Sequence, residues 1–237
     1  AALSSHHRPE TLRRLSSKQF DAVIVGGGIT GAGVAYEAAR RGLKVALLEG
    51  ADYAAGPSSR SRKLVHGGFR YLVSLYIQLD RKMELERKAI RRLAPHLAQP
   101  RWMVLPARHR LRNMQVRAVM NAYELLGNVA SQDIHRNWGL DEMEAEEPLL
   151  RRDRFPFAVA YREYLTDDAR LVLANLRAAA GHGAVIANQA RVERRVEEDG
   201  KVVGAEVRGN LSGQRFAVRG KGVVNAAGPC VEKLQQM

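Results

Sequence analysis

Residues Asp21 to Glu49 constrain this chain most. Ala22-Val23-Ile24-Val25 is a short, β-branched apolar run, the pattern of a buried strand. Gly26-Gly27-Gly28-Ile29-Thr30-Gly31 follows at once and fits G-x-G-x-x-G. Ala32 to Arg40 has helical spacing, Gly42 stops that helix, and Lys44 to Leu48 is a second apolar strand ending in Glu49. Each residue type has a task. Gly26 permits the tight turn, Gly28 lets backbone approach a pyrophosphate, and Gly31 lets helix and strand pack closely. The helix N-terminus offers free N–H groups and a positive dipole end to phosphate. Glu49 stands near the usual spacing of about 20 residues for the acid that accepts ribose hydroxyls. An acid there favours an unphosphorylated ribose, so FAD or NAD over NADP.

The next segment separates those cofactors. Ser58 to Leu72 is dense in small hydroxyls, cations and a glycine pair. A nicotinamide domain has no evident use for it directly after the second strand. A flavin does, because its ribityl chain and pyrophosphate need donors along a long groove.

The chain here resembles the FAD-dependent glycerol-3-phosphate dehydrogenases. The similar pieces are Gly26 to Gly33, Ser58-Ser59, and Lys63-Leu64-Val65-His66-Gly67-Gly68 running into Arg70-Tyr71-Leu72. Ala94-Pro95-His96, Asp167-Asp168-Ala169-Arg170-Leu171 and Asn225-Ala226-Ala227-Gly228-Pro229 follow in the same order. The resemblance implies FAD as cofactor and oxidation of sn-glycerol 3-phosphate to dihydroxyacetone phosphate, with hydride transfer to the flavin and electrons passed to quinone or, in an oxidase, to oxygen. It implies cofactor contacts from Gly26, Gly28, Ile29, Thr30, Gly31, Glu49, Gly50, Ser58, Ser59, Lys63, Leu64, His66, Gly67, Val192, Ala227 and Gly228. Arg70 and Tyr71 match positions that line the substrate phosphate site, where guanidinium and phenol supply directed hydrogen bonds. His66 is read either as the catalytic base, its ordinary pKa lying near about 6.5, or as a group that only hydrogen-bonds flavin or backbone. Pro57, Arg62 and Cys230 depart from the family pattern, which often has a small hydroxyl residue, Ser or Thr, and Trp at those places.

The resemblance also implies the fold class: a Rossmann-like FAD-binding domain of the glutathione-reductase-like type with a β-meander, interrupted by part of a mainly helical substrate or cap region. The expected boundaries are a basic tail over 1–19, FAD-binding parts over 20–72 and 165–237, and the insert over 73–164. The first residues, with three arginines and no apolar core, read as a disordered tail or a remnant of an organelle-targeting segment. Within the insert, Leu79 to Leu93 is expected as an amphipathic helix with a solvated charge run. Pro95, Pro100 and Pro106 are expected to confine any strand to Arg101–Leu105, and Met114 to Leu126 to form a further helix. Asp167 to Gly181 is expected as the returning helix, followed by a strand at Ala184–Ala187, a meander over Arg191 to Arg219, and a strand at Gly222–Asn225. The chain reads as the N-terminal portion of a larger enzyme.

Composition limits the partners. The chain has 237 residues and a net charge of +13, and no helix-turn-helix, zinc or RNA-binding signature accompanies that charge. No nucleic-acid partner is therefore expected. Anionic lipid headgroups and a phosphorylated substrate suit the charge, as does a merely basic, solvated surface. No apolar run reaches about 18 residues, so no transmembrane helix is expected. Asp141, Glu142 and Glu144 have no His or Cys beside them, and His96 and His182 have no ligand partners at suitable spacing. No metal is expected. The single Cys230 fits a reducing compartment. The family resemblance places the protein in the cytoplasm, peripheral at the inner membrane, or alternatively in a mitochondrion, and is compatible with a homodimer. Competing readings are an amine or D-amino-acid oxidase-like enzyme, a truncated non-catalytic FAD-binding fragment, and a basic nucleic-acid binder.

Overall fold

The computed structural model describes residues 3–65, 77–127 and 129–236. The chain divides into two compact units, Ala1–Arg62 with Asp167–Met237, and Lys63–Thr166. The first unit opens with helix α1, Arg8–Ser17, and strand β1, Gln19–Phe20. Strand β2, Ala22–Val25, runs through the glycine turn into helix α2, Ile29–Arg40, and strand β3, Val45–Leu48, lies parallel to β2.

The second unit is built on an antiparallel sheet. Its elements are β4 (Leu64–Val65), α3 (Ile77–Leu93), β5 (Gln99–Ala107), α4 (Arg110–Gly127), β6 (Arg136–Trp138), α5 (Leu140–Glu146) and β7 (Phe157–Leu165). β7 is central. β5 pairs along its whole length on one side, and β4 and β6 pair with its two ends on the other. Helices supply more of the insert than strands do, as expected, but the nine-residue strands β5 and β7 exceed the short strand expected at Arg101–Leu105. Ala158, Val159, Ala160 and Tyr164 of β7 are buried, so neighbouring residues on both faces are covered and no simple alternation marks the strand. Pro100 and Pro106 do not end β5, because β5 is an edge strand and their missing N–H groups cost no ladder bond on the open side.

The charge run of α3 is also not a solvated face. Glu84 and Arg87 are buried, at 0% and 2% exposure. Arg87 Nη2 lies 2.7 Å from Glu84 Oε2, its Nη1 donates to the Arg162 carbonyl at 3.0 Å, and Tyr123 donates its hydroxyl to Glu84 at 3.2 Å. Arg87 and Arg91 both stack on the Tyr164 ring, at 4.9 and 5.0 Å from its centre. Tyr164 in turn donates to Asp133 at 2.6 Å, and burial pushes its phenol up to about 12. Leu93, expected on the apolar face of α3, is 75% exposed. The α3 interior is thus polar but paired. The carboxylates of α5 have structural partners: Glu142 accepts the Gly139 N–H at 2.9 Å, and Glu144 pairs with Arg152 at 2.6 Å.

The chain re-enters the first unit through helix α6, Asp168–Gly181, with the Asp167 side chain accepting the Arg170 N–H at its start. Strand β8, Val185–Ala187, joins the parallel sheet beside β3. β9 (Ala190–Glu198), β10 (Lys201–Gly209) and β11 (Arg215–Gly220) form an antiparallel meander, and β1 adds to β11. β12, Val223–Asn225, completes the parallel sheet in the order β12-β2-β3-β8, and helix α7, Val231–Gln235, follows.

Alternation along β2 and β3 divides the core of this unit. Ile24, Val45 and Leu47 face α2 and α6, where Ala32, Ala35, Ala39, Ala179 and Ala180 allow the helices to pack closely. Val23, Val25, Ala46 and Leu48 face the meander residues Ala205, Val207 and Val218. Layers of helix, parallel sheet and meander result.

Leu15 of α1 is fully buried in the meander-side cluster, and Arg8 donates to the carbonyls of Asn188 and Gln189 at 2.9 and 3.1 Å. Residues Arg8–Ser17 therefore form a packed helix, where a disordered tail was expected. Arg8, Leu12 and Leu15 lie on one helical stripe that the polar composition concealed. Leu15→Ala is expected to lower the unfolding free energy by about 2–5 kcal/mol, read from thermal or urea melts. A melt indistinguishable from wild type would remove α1 from the folded unit.

Candidate functional site

The glycine turn works by close approach. Gly26 has φ of 116°, and a Cβ there would lie 2.3 Å from the Ala226 carbonyl oxygen. Its N–H donates to the Leu48 carbonyl at 2.8 Å, tying the turn to the end of β3. A Cβ on Gly31 would lie 1.9 Å from the Gly26 carbonyl oxygen, so no other residue lets the first turn of α2 sit on the strand end. Gly28 caps α2 in an extended conformation, and the Ile29 N–H donates to Ser58 Oγ at 2.9 Å.

Glu49 secures the other side. Its Oε2 accepts the Gly27 N–H at 2.6 Å and its Oε1 accepts the Ala51 N–H at 2.7 Å. Each carboxylate oxygen keeps acceptor capacity beyond these bonds. Behind it, Tyr53 packs against the turn, and burial holds its phenol well above the usual range and hence neutral.

Between these parts lies a cleft of about 600 Å³. Gly26, Gly28, Ile29, Thr30, Glu49, Gly50, Ser58, Val192, Ala227 and Gly228 all line it, so the structure brings most of the expected cofactor residues together. Gly31 packs behind the turn rather than in the wall. Ser59 directs both its N–H and its hydroxyl to the Gly56 carbonyl, at 3.3 and 3.4 Å. Lys63 and Leu64 belong to the second unit, where the Lys63 carbonyl accepts the Thr166 N–H at 2.7 Å and Leu64 pairs with Leu165. His66, Gly67, Arg70 and Tyr71 lie outside the described residues.

The cleft also contains groups that the sequence reading missed. Arg191 lines it from the start of β9, and Lys233 and Leu234 line it from α7. Alternation beside Val192 and the one-turn spacing from Cys230 to Lys233 were the available signals. Cys230 is exposed and is itself a wall residue. The whole arrangement combines a helix N-terminus with a glycine-lined approach, an acid at the end of the second strand and a cleft of about 600 Å³. It suits a long ligand with a central anionic group and hydroxyls at one end.

Comparisons agree with that geometry. The profile of the family described as FAD dependent oxidoreductase matches residues 21–237. An aerobic glycerol-3-phosphate dehydrogenase of Staphylococcus epidermidis is 38% identical over 238 residues, covering 99% of this chain and 42% of that protein. One of Bacillus subtilis is 38% identical over 98% of this chain and 42% of that protein. The crystal structure of the glycerol-3-phosphate dehydrogenase from Bacillus halodurans, complexed with FAD, matches with a TM-score of 0.76 and 35% identity over 97% of this chain and 38% of that chain. A glycine oxidase from Bacillus cereus, at 24% identity and a TM-score of 0.67 over 92% of this chain and 58% of that chain, shares the fold. The chain spans less than half the length of the curated relatives it matches.

Glu49→Ala removes the acceptor of two backbone N–H groups and is expected to cost about 1–3 kcal/mol of stability. Glu49→Gln, which keeps one carbonyl oxygen, is expected to cost about half as much. Chemical denaturation of the ligand-free proteins measures both, and equal stability of all three would show that the two bonds do not hold the turn.

Proposed function

The chain belongs to the FAD-dependent oxidoreductase family, and on that premise we propose that its cleft holds FAD and that the protein oxidises sn-glycerol 3-phosphate to dihydroxyacetone phosphate. The observation that carries this reading is the glycine-lined cleft between the α2 N-terminus and Glu49, together with 38% identity over 99% of the chain to a glycerol-3-phosphate dehydrogenase. The residues present fit the cofactor. Gly26 and Gly28 leave room for a pyrophosphate at the N-terminus of α2, and Glu49 has lone pairs left for ribose hydroxyls. Ala227 and Gly228 form the turn along which the ribityl chain would run, and the backbone at Val192 would meet the adenine. When bound, the flavin supplies the acceptor for the hydride that leaves C2 of the substrate.

The chain's own residues bind and orient. Arg70 would hold the substrate phosphate by paired N–H donors and Tyr71 would add one directed bond. His66 would take the C2 hydroxyl proton, or hydrogen-bond the flavin while another group takes that proton. Ser59, Lys63, Leu64 and Gly67 would serve the cofactor from the segment after the second strand, on the strength of the sequence resemblance. Quinone is the proposed electron acceptor. An anionic membrane surface is the proposed setting, on the cytoplasmic side of the inner membrane. The net charge of +13 supports that setting, as does α4, where exposed Leu111 and Met114 alternate with Arg110, Arg112 and Arg117. No helix among the described residues is long and apolar enough to cross a membrane. A homodimer is compatible with this reading.

Anaerobic titration of the flavin-loaded protein tests the reaction. Addition of sn-glycerol 3-phosphate is expected to bleach the bound flavin band, whereas glycine and D-alanine leave it unchanged. Bleaching by an amino acid instead, or a folded protein that takes up no flavin, would overturn the proposal. Arg70→Ala is expected to raise the KM for glycerol 3-phosphate by about ten- to a hundredfold, the loss of a charge-assisted phosphate contact, with a smaller change in kcat. An unchanged KM would take Arg70 out of the phosphate site.

A further inference from the structure

Arg191 stands apart from the other arginines of the meander. Arg215 and Arg208 reach Glu193 at 2.9 and 3.9 Å, Arg219 reaches Glu198 at 2.5 Å, Arg195 pairs with Glu197, and Arg194 stands opposite Glu206. Arg191 stands opposite Arg208, a like charge. Among the described residues it has no hydrogen bond or ion pair through its guanidinium. Like charges directly opposed across a ladder repel, and of the two only Arg208 reaches an acid, Glu193 at 3.9 Å.

That cation lines the cleft, beside Glu49, Gly50 and Val192. Its stem lies along Gly50, where a Cβ would sit 3.6 Å from Arg191 Cα, Cβ and Cγ. We propose that Arg191 is a specificity-determining residue whose guanidinium lies on the adenine face of the dinucleotide, so that the cleft selects a dinucleotide over a flavin mononucleotide. The inference rests on the reading of the cleft as an FAD site. Phosphate is the less suitable partner, because the pyrophosphate belongs at the α2 N-terminus and the Glu49 carboxylate would repel a second anion at this end. What remains here is ribose and base. A planar, weakly hydrated guanidinium stacks well on such a ring, and a lysine ammonium does not reproduce that stacking.

The test measures affinities of FAD, ADP and FMN for the full-length protein stripped of flavin, in the wild type, Arg191→Ala and Arg191→Lys. ADP probes the adenosine end alone, and FMN lacks it. Arg191→Ala is expected to weaken FAD and ADP by about tenfold and to leave FMN unchanged, with Arg191→Lys close to the alanine variant. Unchanged FAD and ADP binding in Arg191→Ala would overturn the inference while leaving the FAD site standing. An equal loss for FMN would also overturn it, since the effect would then lie away from the adenosine. Rescue by Arg191→Lys that disappears at high salt would overturn it in favour of a phosphate contact. A wild type that binds neither FAD nor ADP would overturn the parent reading and this one with it. Melting temperatures of the stripped variants, expected at or slightly above wild type because Arg191 is exposed and faces a like charge, separate lost binding from lost folding.

Discussion

Both carboxylate oxygens of Glu49 accept backbone N–H groups, one from the glycine turn and one from the loop after β3. Its own backbone N–H donates to the Ala187 carbonyl at 2.9 Å, and its carbonyl accepts the Ala190 N–H at 2.8 Å. One residue therefore joins the end of β2, the end of β3, the end of β8 and the start of β9. Three of these, the ends of β2 and β3 and the start of β9, contribute walls of the cleft. The acid expected to meet a ribose also holds the shape into which that ribose would fit. Preorganisation of this kind reduces the ordering cost of binding.

The second unit is organised on a different principle. Its helices meet the sheet through Glu84, Arg87, Glu163 and Tyr123 as well as through apolar side chains, with Arg87 Nη1 at 3.6 Å from Glu163 Oε2. Desolvating these charges offsets much of their attraction, so the cluster is weak as a source of stability. Removing one partner is costly, because the others would stay buried without compensation. The cluster therefore ties α3, α4 and β7 to one arrangement, whereas the alanine-lined packing of α2 on α6 in the first unit relies on close contact alone.

These contrasts explain what could be read from the sequence. The parallel sheet, the meander hairpin at Glu198-Asp199-Gly200 and the returning helix each follow one period and end in a turn residue, so local rules were enough. The glycines and Glu49 were legible because the strand–turn–helix–strand motif fixes their spacing, and Ser58 through the family resemblance, although the Glu49–Gly27 and Ser58–Ile29 bonds span 22 and 29 residues. β7 was not, since a strand covered on both faces loses its alternation. The burial of Glu84 and Arg87 was hidden because their partners, Tyr123 and Glu163, come from other elements. Arg191 and Lys233 reach the cleft through the pairing of β9 and the placement of α7, so the alternation beside Val192 and the spacing from Cys230 were weak signals. In α1 the apolar stripe was too sparse to stand out among its arginines and serines.

The outer strand of the meander has one further consequence. β9 lies at the edge of its sheet, with one row of backbone donors and acceptors left outside the ladder. Such an edge invites a strand from another molecule. Along β9, however, Arg191, Glu193, Arg194, Arg195, Glu197 and Glu198 give a nearly continuous series of charges. An approaching strand would have to strip water from these groups and match their signs. The charged side chains of β9 thus guard the edge against pairing between molecules.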